Sequence, residues 1–160
     1  EGTSANYIEG TPYIGTITRM YPGAPDHRDG LFAWDPVARK KVWEVRERFP
    51  VWSGTLVTAG GLVFYGTMDR WFRAVDAATG ALQWQFRTGS GVIGQPISFA
   101  GPDGKQYIAI YDGVGGWAGA IVANNLSTTD STGADGFVGA MQDLKQVTTA
   151  GGTLYVFALD

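Results

Sequence analysis

Short apolar runs of four to seven residues, cut at regular intervals by glycine, aspartate and proline, organise this chain of 160 residues. Leu56 to Ala59, Leu62 to Thr67, Trp71 to Val75 and Ala81 to Arg87 are rich in β-branched and aromatic residues and predict four consecutive strands. The breaks between them are Ala59-Gly60-Gly61, Met68-Asp69-Arg70 and Ala77-Ala78-Thr79-Gly80. Pro96 to Ala100 and Gln106 to Tyr111 predict a further pair around Gly101-Pro102-Asp103-Gly104, a turn whose residues accept positive φ. Only Gly136 to Lys145 has helical spacing, with Phe137, Ala140, Met141 and Leu144 on one face and Asp135 placed to cap it. That stretch predicts a short helix in a long connection.

The strands belong to a repeat. Ala33, Asp35 and Trp43 recur as Ala74, Asp76 and Trp84, each 41 residues later, and Ala158 and Asp160 continue the series about two periods on. A period of about 40 to 45 residues is one four-stranded propeller blade. The chain is therefore long enough for three to four blades, while propellers close with about four to eight. Open blades would leave sheet faces and edges unprotected, so the chain is expected to be part of a larger propeller.

Composition agrees with the all-β reading: 24 glycines punctuate the chain, and 6 Trp, 7 Tyr and 8 Phe suit pleated surfaces. The net charge of −3, with 12 Lys and Arg scattered along the chain, excludes the basic stripe of a nucleic-acid-binding protein. The absence of cysteine excludes disulfides, thiolate zinc sites, haem attachment through CxxCH and a cysteine nucleophile. No run approaches the length of a membrane span, and residues 1–6 lack the basic and apolar regions of a signal peptide, so any export signal is expected outside the chain.

Isolated motifs carry less chemistry than they suggest. Gly89-Ser90-Gly91-Val92-Ile93-Gly94 fits GxGxxG, but the dinucleotide fingerprint needs a helix directly after it, and Gln95 to Gly101 reads as a strand and a turn. His27, the sole histidine, lies in the polar loop Asp26-His27-Arg28-Asp29 and predicts a solvated turn, not a catalytic triad. Asp69 and Asp112 read as loop-tip carboxylates, and no spacing gathers an oxygen cage for a metal ion. Asn125-Leu126-Ser127 matches a glycosylation sequon, a pattern frequent by chance.

The pattern Ala-x-Asp-x-x-Thr-Gly-x-x-x-Trp, complete at Ala74 to Trp84, resembles the tryptophan-docking motif of the quinoprotein alcohol dehydrogenases, which depend on pyrroloquinoline quinone (PQQ). The first copy has Ala38-Arg39 where Thr-Gly is usual, which predicts a looser turn. Gly10-Thr11-Pro12-Tyr13-Ile14-Gly15, Phe49 to Thr55 and Gly113-Val114-Gly115-Gly116-Trp117 are similar to methanol dehydrogenase segments in family order, and Tyr65 to Asp76 is most similar to the lanthanide-dependent branch. The resemblance implies an all-β fold in which residues 1–160 form the carboxyl-terminal blades, three to four of an eight-bladed β-propeller with tryptophan-docking motifs and no separate second domain.

It also implies a site. PQQ is planar and anionic, so its pocket needs flat apolar surface, a few donors, and glycine where the backbone comes close. By the resemblance, Trp52 contacts the quinone edge, Gly116 gives the backbone approach and Trp117 walls the reacting centre. The catalytic aspartate and the ligands of a lanthanide or calcium ion fall in earlier blades, so no catalytic or metal-binding residue is expected in this chain. The implied activity is oxidation of a primary alcohol, methanol above all, by hydride transfer to metal-bound PQQ in the periplasm. The implied partners are the amino-terminal blades as a separate chain, a second copy of the complete enzyme, a cytochrome c acceptor and a small alcohol, with no nucleic acid and no membrane span. Two other readings compete: a non-catalytic propeller scaffold, as in outer-membrane assembly lipoproteins, and a quinoprotein for larger alcohols or sugars.

Overall fold

A computed structural model describes residues 2–4, 6–10, 13–123 and 126–158. Thr11 and Pro12 of the Gly10–Gly15 segment, Asn125 of the sequon, and Asp160 of the third repeat lie outside the described residues. The strands are β1 (Gly2–Ser4), β2 (Thr16–Thr18), β3 (Asp29–Asp35), β4 (Lys40–Glu47), β5 (Leu56–Val57), β6 (Leu62–Gly66), β7 (Trp71–Asp76), β8 (Leu82–Arg87), β9 (Ile97–Ala100), β10 (Gln106–Asp112) and β11 (Thr153–Ala158). All named strand pairs are antiparallel, forming β1-β2, β3-β4, β5-β6-β7-β8 and β9-β10-β11. The four-stranded sheet is one complete blade in sequence order, as the strand pattern predicts. No helix among the described residues is long and apolar enough to cross a membrane.

The β5–β8 sheet is packed on both faces, which explains why β6 and β7 are buried almost throughout. Period-two alternation sends Val63, Tyr65 and Val75 to one face, against Leu31 and Trp43 of the β3-β4 hairpin. It sends Phe64, Phe72 and Ala74 to the other, against Ile108 and Ile110 of β10 and Phe157 of β11. Three units are thus stacked face to face, the arrangement of successive blades.

The 41-residue repeat is reproduced down to its irregularities. Ala33 pairs with Trp43 and Ala74 with Trp84, and in both hairpins the register shifts at the next residue by a β-bulge. Asp35 Oδ1 accepts the backbone N–H groups of Val37 and Ala38, and Asp76 Oδ1 accepts those of Ala78 and Thr79. Both aspartates are therefore structural, closing turns with their side chains. The two turns share a backbone form, Arg39 at φ 51° standing where Gly80 stands at φ 74°, but the second is tied by further bonds, from the Thr79 hydroxyl to Asp76 Oδ1, from Ala81 N–H to Thr79 Oγ1 and from Gly80 N–H to the Asp76 carbonyl.

Two expectations need correction. The helix over Gly136 to Lys145 is broken into α2 (Phe137–Met141) and a 3₁₀ turn (Leu144–Gln146). Its amino-terminal cap is Gly136 at φ 89° with no side-chain cap, and Asp135 stands outside it at φ 53°. A second helix, α1 (Gly116–Ala123), occupies what reads as a glycine-rich loop. Its sequence, GWAGAIVA, has no polar face, so it shows no amphipathic period. Both helices lie between β10 and β11, where Ala118, Ile121, Phe137, Val138, Met141 and Leu144 cluster with Phe49 and Met68 at one end of the stacked sheets.

Candidate functional site

This helical insertion is fastened to the blades at its root. Asp112, fully buried at the end of β10, accepts the N–H of Ser90 at 2.7 Å and of Thr153 at 2.6 Å, so it is an internal clamp, not the loop-tip carboxylate its position suggests. Gly91 N–H donates to Thr148 Oγ1 at 2.7 Å, and the Ser90 hydroxyl donates to the Thr149 carbonyl at 2.5 Å. The GxGxxG stretch serves this join: a Cβ at Gly91 would stand 2.3 Å from the Met68 carbonyl oxygen, and one at Gly94 2.6 Å from that of Tyr111. These glycines admit close backbone contact, and the strand β9 follows them, as expected.

A second tie uses Asp143, which follows α2: Arg28 Nη2 lies 2.8 Å from its Oδ1, and Arg48 Nη2 donates to its Oδ2 at 3.0 Å. Both guanidinium groups lie over the buried Phe49 ring, with centroid distances of 4.6 and 5.2 Å. Arg28 keeps Nε and Nη1 buried without an acceptor among the described residues. His27, by contrast, is ordinary loop structure, paired with Asp26 at 2.8 Å.

Trp52 is held at three points. Before it, Val51 N–H donates to Asp29 Oδ2 at 3.1 Å; after it, Ser53 Oγ accepts the N–H of Gly66 in β6 at 2.7 Å. The indole itself stacks on Phe137, the first residue of α2, with centroids 4.9 Å apart and planes 29° apart. The ring remains 41% exposed and lines a cleft of about 650 Å³, bordered by Arg19 to Gly23, Arg28, Pro50 and α2.

Gly116 and Trp117 occupy the first turn of α1. Gly116 has φ 56°, and the space beside Gly115 and Gly116, where side chains would stand, is open, leaving the peptide backbone approachable. Trp117 is 44% exposed, while Ala118 beside it is buried in the same cluster as Phe137. The helical layer thus carries Trp117 and supports Trp52. Trp117 is not among the residues lining the Trp52 cleft, and Gly115 borders a separate hollow with Ile93, Gly94 and Tyr111. Of the three residues implied as a cofactor surface, two are adjacent in α1 and the third reaches the same layer through Phe137, which sequence patterns single out only as a helix-face residue.

The residues present suit a flat anion: Trp52 offers a half-open indole face in a cleft bordered by the cationic Arg28, and Gly115 and Gly116 offer bare backbone outside that cleft. Among the described residues no three His, Asp or Glu side chains gather as for a metal ion.

Comparison with known proteins gives this surface a context. Residues 19–108 match the family model for the glucose/ethanol/alcohol dehydrogenase β-propeller domain of PQQ proteins. The lanthanide-dependent methanol dehydrogenase of Methylacidiphilum fumariolicum (strain SolV) is 52% identical over 100% of this chain and 27% of its own length. Methanol dehydrogenase [cytochrome c] subunit 1 of Paracoccus denitrificans is 44% identical over 96% of this chain and 25% of its own length. A solved europium-containing methanol dehydrogenase superposes with a TM-score of 0.90 at 52% identity, covering 99% of this chain and 28% of that one. The chain spans about a quarter of the length of these relatives. Its stacked sheets are therefore part of a propeller, and the chain belongs to the PQQ-type alcohol dehydrogenase β-propeller family.

Proposed function

We propose that this chain supplies the carboxyl-terminal blades of a periplasmic PQQ-dependent dehydrogenase that oxidises methanol, or another small primary alcohol, to the aldehyde. The observation that carries the reading is Trp52, whose indole is fixed on Phe137 yet remains open to a cleft with Arg28 at its margin. The likeness to a lanthanide-dependent methanol dehydrogenase along the whole chain supports the same conclusion. A dehydrogenase family, together with this surface, favours an enzyme over a structural propeller.

In this reading Trp52, Gly116 and Trp117 face one quinone in the complete propeller. Trp52 offers a rigid apolar edge, and Gly116 lets the backbone approach without a side chain between. Trp117 forms a wall that excludes water and limits the alcohol to a small one. When bound, the quinone supplies the two-electron oxidant, polarised by a lanthanide or calcium ion acting as Lewis acid. The metal ligands and the base that takes the hydroxyl proton come from the amino-terminal blades, which cover the open sheet faces of this chain. The complete enzyme is a dimer that passes electrons to a cytochrome c, the acceptor for which the Paracoccus relative is named.

The test is made on the full-length enzyme, loaded with PQQ and either a lanthanide or calcium and mixed with methanol. The quinone absorption is expected to bleach at a rate that depends on methanol, faster with the lanthanide. Retention of no quinone, or a quinone that no primary alcohol reduces, overturns the proposal.

A further inference from the structure

We infer that Phe137 is a positioning residue for the cofactor, acting through Trp52, an inference that rests on the quinone reading above. The backbone around Trp52 is fixed on both sides, by Asp29 through Val51 and by Gly66 through Ser53. The main freedom left to the indole is rotation about its own side-chain bonds, and the Phe137 stack at 4.9 Å removes it.

Phe137 is itself held in place. A Cβ at Gly136 would stand 2.6 Å from the Thr18 carbonyl oxygen, and one at Gly139 2.4 Å from that of Met20. Met20 N–H donates to the Gly136 carbonyl at 3.2 Å. The two glycines thus let α2 lie against the Thr18–Met20 backbone, and the ring between them cannot slide along the helix axis. Phe137 is 7% exposed and touches the buried cluster of the insertion on one side and the half-open indole on the other. A hydrophobic filler would need only volume. A ring that sets the plane of another ring needs to be flat, and this difference is measurable.

Three variants of the full-length, PQQ-loaded enzyme separate the roles: Phe137→Leu and Phe137→Met, which keep apolar volume without a plane, and Phe137→Tyr, which keeps the plane. Read-outs are the position of the quinone absorption band, the rate of PQQ loss on dilution, kcat and KM for methanol, and the melting temperature. The leucine and methionine variants are expected to shift the band, to lose PQQ about three- to ten-fold faster and to lower kcat by a similar factor with KM little changed. The tyrosine variant is expected to retain the wild-type band and retention. If the leucine variant does not fold, the methionine variant carries the comparison. Leucine and methionine variants with wild-type band and PQQ retention overturn the inference, as does a tyrosine variant impaired like them at an unchanged melting temperature. A wild-type enzyme holding no alcohol-reducible quinone overturns the cofactor reading itself and is distinguishable from either result.

Discussion

Trp43 donates its indole N–H to the carbonyl of Ala77, 34 residues later, at 3.0 Å, and its ring fills the space that a side chain at Gly80 would need. A Cβ at Gly80 would stand 2.8 Å from indole Cδ2 and Cε3. The tryptophan of one blade thus docks on the turn of the next, and the glycine of that turn meets two demands at once, a φ of 74° and an empty flank. Gly80→Ala violates both, and in the complete enzyme it is expected to cost about 2 to 4 kcal/mol, read from the shift of the denaturant midpoint.

Arg39 occupies the corresponding position with φ 51°. An arginine in the left-handed region carries a strain that glycine does not, partly offset by the entropy glycine loses on folding. Arg39→Gly is therefore expected to stabilise by about 0.5 to 1 kcal/mol, with activity unchanged. A lower unfolding midpoint would contradict this account of the turn.

Glu47 at the end of β4 accepts the Tyr65 hydroxyl at 2.7 Å and is ion-paired to Arg73, so an ion pair and a neutral phenol join neighbouring blades in a largely buried setting. Arg73 Nε has no acceptor among the described residues, so the arginine depends on Glu47. Glu47→Ala strands that charge and is expected to cost about 3 to 5 kcal/mol, measured by chemical denaturation.

Burial, and then the Glu47 carboxylate, push the Tyr65 phenol above its ordinary pKa of 10.0. A raised folded-state value means that this contribution to stability is complete below pH 10.0 and is lost as the pH rises further, because the unfolded chain gives up its proton first. Tyr65→Phe is expected to flatten the alkaline limb of the stability profile. The check is unfolding at several pH values between 9 and 11, a window set by the ordinary phenol value.

Asp112, where the chain enters the insertion, holds one backbone donor from Thr153, where the chain leaves it, and one from Ser90 in the β8–β9 connection. Asp112→Ala leaves both without their acceptor, at a cost of about 1 to 3 kcal/mol for each left dry. Faster hydrogen exchange is expected at Ser90 and Thr153, with earlier proteolysis within 113–152 than within β5–β8. Uniform exchange across the chain would show instead that the clamp is not local.

Trp117 and Trp84 are expected to separate function from stability. Trp117 is half-exposed on α1, so Trp117→Ala should lower turnover about ten-fold or change alcohol preference, with little effect on melting. Trp84 is nearly as exposed, at 38%, but packs edge-on against Phe72 and Phe157, with centroids at 5.9 and 5.0 Å, so packing and not burial sets it apart. Trp84→Ala should cost about 3 kcal/mol while leaving kcat per bound PQQ nearly normal.

The blades are legible in the sequence because their signals are local. Strand alternation, the Asp-closed turns and the Ala-to-Trp spacing depend on residues within one period, and the bulges recur where the repeat places them. The insertion is less legible, since its order comes from distant partners. Helix α1 lacks a polar face, and the role of Asp112 depends on Thr153, 41 residues away. The Trp52 surface lies between these cases: its flanking residues point to the family, but the Phe137 stack joins positions 85 residues apart, and no spacing rule connects them.

That insertion also has a kinetic consequence. Strands β9 and β10 meet across a turn of five residues, 101–105, whereas β10 and β11 pair only after residues 113–152 have been looped out. The entropy of closing the long loop must be met before the Asp112–Thr153 end of the pair contributes anything. Contact order therefore places β11 late in folding, behind the β5–β8 meander. The aromatic face of β11, Tyr155 and Phe157, reaches Phe86 only at that stage, so the β8 side of the complete blade waits longest for its cover and is where this polypeptide is most open to chaperones while it folds.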